Sequence, residues 1–162
     1  MKPSPPLRPF ARARAALAAV AGALGASLLL SGANAQDPTA QAPSVQLSAG
    51  IHLIHAELAD NDPARARGLM FRTSLAPNHG MLFVFGAADT HCMWMRNTLI
   101  PLSVAFLDAD GTVVNIEEMA PRTDQSHCAR RPVRYALEMS GQWFGQHGVH
   151  AGSVLQGVAQ AR

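Results

Sequence analysis

Alternation of apolar and polar positions is the strongest signal along this chain. From Val45 to Ala59 (VQLSAGIHLIHAELA), Ile51, Leu53 and the pair His52/Ile54 trade sides, and Glu57-Leu58-Ala59 continues outward, which predicts a strand. Asp60-Asn61-Asp62-Pro63 then predicts a helix start, with Asp62 as N-cap and Pro63 at the first helical position. The helix, Pro63 to about Leu69, is short, and Gly68 is placed to end it. Residues 71–80 (FRTSLAPNHG) have the polar, Pro and Gly content of a loop, and Met81-Leu82-Phe83-Val84-Phe85 predicts a buried strand.

Further strands are predicted from about His91 to Met95 and from Leu102 to Leu107. Asp108-Ala109-Asp110-Gly111 is a turn that sends Thr112 to Met119 back as a hairpin partner. A long polar loop, Ala120 to Pro132, precedes a strand from Arg134 to Met139, a short helix from Gly141 to about Gly148 and a last strand from Ser153 to Val158. Seven short strands and two short helices predict a mainly β (α+β) fold, a single compact small barrel or rolled β-sheet. No internal repeat is present.

The N-terminal end changes this picture. Lys2, Arg8, Arg12 and Arg14 precede an Ala/Leu/Val run from about Ala15 to Leu30, followed by Ser31-Gly32-Ala33-Asn34-Ala35. That composition predicts a secretory signal peptide over residues 1–35, cleaved after Ala35. The apolar run is shorter than the roughly 20 strongly apolar residues of a stable spanning helix, so no stable membrane insertion is expected after cleavage. Gln36 to about Ser44 (QDPTAQAPS) has no apolar period and is expected to be a disordered linker, leaving one β-rich domain over residues 45–160.

Removing the leader also reverses the charge. The whole chain has 13 basic and 11 acidic residues; four of the basic ones and none of the acidic ones lie in the leader, which leaves nine against 11, a net charge of about −2. No basic patch remains to suggest nucleic acid or anionic lipid as a partner. Lys2 is the only lysine, so Schiff-base chemistry has no residue to use in the mature chain.

Export decides how the two cysteines are read. Cys92 and Cys128 are headed for a compartment where thiols oxidise, and an intramolecular disulfide between them is expected. Cys-x-x-Cys is absent, which argues against a thioredoxin-like oxidoreductase.

Four signatures occur in order: Arg67-Gly68-Leu69-Met70-Phe71-Arg72, Gly80-Met81-Leu82-Phe83-Val84-Phe85, Met93-Trp94-Met95-Arg96-Asn97-Thr98-Leu99-Ile100-Pro101-Leu102, and Ala136-Leu137-Glu138-Met139. Together, over nearly all of residues 51–158, the chain closely resembles the uncharacterised bacterial and archaeal family known as domain of unknown function 192. The resemblance implies a compact β-rich fold and frequent export or membrane association, and no established activity. Many members have Pro-Leu-Asp where this chain has Pro101-Leu102-Ser103, so a role needing a carboxylate there is in doubt.

Candidate chemistry falls into several groups. In His91-Cys92-Met93-Trp94-Met95 a strand period puts His91, Met93 and Met95 on one face and Cys92 and Trp94 on the other; this is a copper ligand set or ordinary core packing, and packing is the leading reading. His52 and His55, three apart on a strand, point to opposite faces and cannot share a metal. His147 and His150 form at most a weak chelate, and no zinc motif is present. Asp108 to Gly111 lacks the downstream Glu of a calcium loop. The serines sit in no Gly-x-Ser-x-Gly context, and Ser126-His127-Cys128 are neighbours in sequence rather than a nucleophile–base pair.

Arg72, Asn97, Thr98 and Glu138 form the sharper set, because each is a polar group embedded in an apolar motif and needs a partner if buried. They line a ligand site, with Arg72 clamping an anion, Asn97 and Thr98 donating and Glu138 accepting, or they form a structural network in which Arg72 pairs with Glu138. The leading expectation is a periplasmic or secreted, non-enzymatic binding or accessory module of the bacterial cell envelope for a small polar or anionic ligand. It carries no cofactor and no metal. The alternatives are an enzyme with a pocket around Arg72 and Glu138, and a periplasmic copper-handling protein using His91, Met93 and Met95.

Overall fold

A computed structural model describes residues 43–161. The predicted leader, its cleavage after Ala35 and the linker as far as residue 42 lie outside the described residues. The linker's last two residues belong to the fold: Leu58 N–H donates to Pro43 O at 2.7 Å, and Ser44 opens the first strand.

The strands are β1 (Ser44–Ala49), β2 (His52–Ala59), β3 (His79–Asp89), β4 (Cys92–Met93), β5 (Leu102–Leu107), β6 (Val113–Met119), β7 (His127–Cys128), β8 (Val133–Ser140) and β9 (Leu155–Gln156). The helices α1 (Asp62–Arg67) and α2 (Trp143–Gln146) are short, and a 3-10 turn spans Val158–Ala161. Seven strands form one sheet in the order β6-β5-β8-β3-β2-β1-β9, curled into a half-barrel, and β4 and β7 form a separate two-stranded ribbon. Among the described residues only β2 and β3 run parallel, which requires a crossover, and α1 lies in it. The sheet edges meet at one point, the Thr112–Val154 bridge, so the sheet rolls without closing into a barrel.

The single strand expected from Val45 to Ala59 is a hairpin. Its inward-facing positions are odd in β1 (Val45, Leu47, Ala49) and even in β2 (Ile54, Ala56), because the two-residue turn Gly50-Ile51 resets the parity. Gly50 sits at φ 59°, where a residue with no Cβ has no steric cost. The N-cap of α1 is Asn61 rather than Asp62: the Asn61 side chain accepts from Ala64 N–H at 3.0 Å, while Asp62 pairs with Arg65. The β3 strand extends well beyond the apolar run Met81–Phe85, and the long polar loop contains β7, whose two residues carry too little pattern to be read.

Both faces of the sheet are covered, so β5, β8 and the Gly80–Phe85 part of β3 are almost wholly buried. One core packs Leu47, Ile54, Leu82, Leu107, Tyr135, Leu137, Met139 and Phe144. The other packs Leu69, Met81, Phe83, Phe85, Met93, Met95, Val104 and Phe106 under α1 and the β4–β7 ribbon. Gly80 allows β3 and β8 to approach, since a Cβ there would lie 2.2 Å from Glu138 O. Among the described residues no helix is long and apolar enough to cross a membrane.

Candidate functional site

Glu138 is out of place in the second core. On β8 it faces the same side as its register partners Met81 on β3 and Val104 on β5, and it is only 4% exposed. No side-chain hydrogen bond or ion pair to its carboxyl is found among the described residues. Burial alone pushes the carboxyl from an ordinary 4.5 up to about 8. At neutral pH the group is therefore a neutral acid, able to donate one hydrogen bond and accept others.

Beside it is a cavity of about 140 Å³. Its buried lining is Glu138, Thr98, Leu69, Phe83, Phe85 and Met93, and its exposed rim includes Arg67, Cys92 and Trp94. An apolar cavity of roughly 150 Å³ holds a benzene-sized molecule, which sets the scale of an occupant. Arg65 also lines it, but its charge is committed: one nitrogen donates to Val84 O at 2.7 Å and another pairs with Asp62. Arg67 makes no ion pair among the described residues and leaves a free cation at the mouth. The Arg96 guanidinium lies over the Trp94 ring at 4.5 Å from its centroid and also bonds Asp124 at 2.8 Å, which holds the half-exposed indole at the rim.

The four residues singled out by sequence separate into two pairs. Thr98 and Glu138 share the cavity. Arg72 does not pair with Glu138: it lies beyond α1, where its guanidinium meets Glu57 of β2 at 2.5 Å in a partly exposed ion pair. Asn97 is exposed at φ 60°, a left-handed turn residue whose carbonyl accepts from Phe71 N–H at 2.9 Å. Sequence reasoning missed Arg67 and the aromatic wall, because nothing in Ala-Arg-Ala-Arg-Gly shows which face of the sheet α1 covers.

Cys92 and Cys128 are joined in a disulfide. They are directly opposed in the β4–β7 ladder, with Met93 opposite His127 as the second pair. Met95 is fully buried, Met93 is packed in the second core, and His91 stacks on Phe85 with Nε2 at 3.1 Å from Ala87 O. The soft atoms proposed for copper are thus spent on packing and on the disulfide. His52 contacts His147 and Trp143, while His55 stacks on His79, on opposite sides of β2. Among the described residues no group of three or more His, Cys, Asp or Glu is placed to hold a metal ion. The Asp108–Gly111 carboxylates serve the turn, Asp108 and Asp110 both accepting from Thr112 N–H.

Comparison with known families gives a match over residues 45–157 to DUF192, described as "Uncharacterized ACR". The chain belongs to the DUF192 family. Two solved structures carry the same fold at substantial identity. A Sinorhizobium meliloti protein described as a candidate transcription regulator is 38% identical, covering 71% of this chain and 92% of its own, with a TM-score of 0.66. A Novosphingobium aromaticivorans protein of unknown function is 31% identical, covering 74% and 89%, with a TM-score of 0.67. Comparison with curated proteins gives no match. DUF192 membership accounts for the fold and carries no activity with it.

Proposed function

We propose that this DUF192 protein is exported and acts in the bacterial cell envelope as a non-enzymatic small-molecule-binding or accessory module. Its ligand is small and polar or anionic, and it seats against Glu138 and Thr98. The observation that carries this reading is a buried carboxyl with no partner among the described residues, opening on a small cavity whose mouth carries an arginine that makes no ion pair among them. A buried polar group without a partner costs stability, and a ligand that hydrogen-bonds it recovers that loss. Apolar walls with a few convergent polar groups are the usual make-up of a ligand pocket.

The reading is tested on the protein expressed as the full chain, recovered by cell fraction and sequenced from its N-terminus. A start at Gln36 in the envelope fraction is expected, and an intact N-terminus in the cytosol contradicts export. Amide chemical shifts are then followed while small carboxylates, sulfonates and neutral amides are added. Shifts clustered at residues 67–70 and 93–98, lost when Ala66→Trp blocks the mouth, are expected. Shifts scattered over the surface, or unaffected by that block, contradict the site.

An enzymatic reading has one specific observation in its favour, a carboxyl held near neutral pH, where proton transfer is efficient. In that reading Arg67 takes the place expected of Arg72. The transcription-regulator description of the Sinorhizobium relative finds little support in a chain whose charge after Ala35 is about −2.

A further inference from the structure

The cavity rim contains a reactive bond as well as polar groups. Cys92 is exposed and lines the cavity, whereas Cys128 is half-exposed and is not part of the cavity lining. Arg67 lines the same mouth and makes no ion pair among the described residues, and Glu138 lies within the same enclosure. The ribbon that carries the disulfide is anchored independently of it, through the buried side chains of Met93 and His127.

We propose that the Cys92–Cys128 disulfide is a thiol–disulfide exchange site for small anionic thiols that enter the Glu138 cavity. The proposal rests on the cavity admitting a small molecule and adds a reaction to it. The thiolate sulfur of the incoming molecule bonds to Cys92 Sγ, on the cysteine that lines the cavity, as the Sγ–Sγ bond breaks and Cys128 leaves as a thiolate that takes up a proton from solvent. A second thiolate attacks the substrate sulfur of this mixed disulfide and releases Cys92. Two small thiols are thereby oxidised to one small disulfide, and the protein disulfide is reduced to a dithiol. Exposed disulfides are the labile and catalytic class, and an adjacent cation favours thiolate approach. Because Met93 and His127 keep the ribbon in place, the reduced cysteines stay opposed and can close again on an external disulfide.

The test uses the full-length oxidised protein and three probes: 2-mercaptoethanesulfonate, neutral 2-mercaptoethanol and cationic cysteamine. Acid-quenched samples are read by mass spectrometry, and rates are expressed per thiolate. The expected result is a mixed disulfide mapped to Cys92, with the sulfonate about fivefold faster than the neutral thiol, the effect of one charge contact under water-like screening. Arg67→Gln flattens that preference. An adduct mapped to Cys128, equal rates for the three probes, or a preference that survives Arg67→Gln overturns the proposal. Ethanesulfonate, which has no thiol, separates this inference from the binding reading. If it shifts the cavity amides while the disulfide does not exchange, exchange fails and binding stands; if it and the thiols both leave the cavity untouched, both fail.

Discussion

Replacing Glu138 by glutamine removes one ionisation from the core and leaves the shape of the side chain. The consequence follows from proton linkage. In the unfolded chain the carboxyl titrates near its ordinary 4.5, and in the folded chain near 8. Between those values the unfolded chain has lost a proton that the folded chain keeps, so stability falls as pH rises. It is fully present below the unfolded value, declines by about 1.4 kcal/mol per pH unit across the window and levels off above pH 8. The whole loss is roughly 4 to 5 kcal/mol, a large share of the stability of a domain this size. Glu138→Gln carries no such penalty. Urea unfolding followed by tryptophan fluorescence at pH 4.5, 6, 7 and 8 is the assay, with the disulfide intact. Subtracting the variant's curve from the wild type's cancels every other titrating group. The variant is expected to match the wild type within about 1 kcal/mol at pH 4.5 and to exceed it by several kcal/mol at pH 8. Parallel pH dependences for the two proteins would refute the reasoning.

Opening the disulfide with Cys92→Ser/Cys128→Ser, which are 36 positions apart, is expected to cost about 4 kcal/mol in the chain-entropy picture, read as a lower urea midpoint. Gly80→Ala drives a methyl group into Glu138 O and Met139 Sδ and should cost roughly 3 kcal/mol; Gly145→Ala, with nothing within 4 Å of the new Cβ, should be neutral or better in the same urea titration. Asn97→Ala places a Cβ-constrained residue at φ 60° and is expected to lose about 1 kcal/mol, restored by Asn97→Gly. Arg72→Ala breaks only a partly exposed ion pair with Glu57 and should cost less than about 1 kcal/mol, an effect that 1 M salt reduces further.

The parts of this fold visible in the sequence are those set by local pattern. The buried run Met81–Phe85, the strand Leu102–Leu107 and the Asp108–Gly111 turn all lie where alternation and turn chemistry put them. Glu138 stood out because a carboxylate inside Tyr-Ala-Leu-Glu-Met has no business in a strand buried on both faces unless its environment is special. What escaped depends on how elements meet. The Gly50-Ile51 turn is visible only as a change in which parity faces inward, and uninterrupted alternation conceals it. The strand expected from His91 to Met95 shortens to the two residues of β4, and its partner β7 is too short to show a period, so the disulfide, rather than any pattern, marks their register. Arg72 and Arg67 are both arginines in one motif; only the placement of α1 over the Phe83–Phe85 face puts Arg67 at the cavity and Arg72 against β2.

Ligand recognition in this cavity depends on one property, a neutral carboxyl held in the core at its base. Carbon-13 NMR of the Glu138 side-chain carboxyl, titrated from pH 3 to pH 10, measures it directly. A midpoint near 8 is predicted, with the resonance moved by small ligands that shift the cavity amides. A midpoint near the ordinary 4.5, insensitive to any of them, would mean that the side chain is paired or solvated, and that the cavity has no special floor to recognise a ligand.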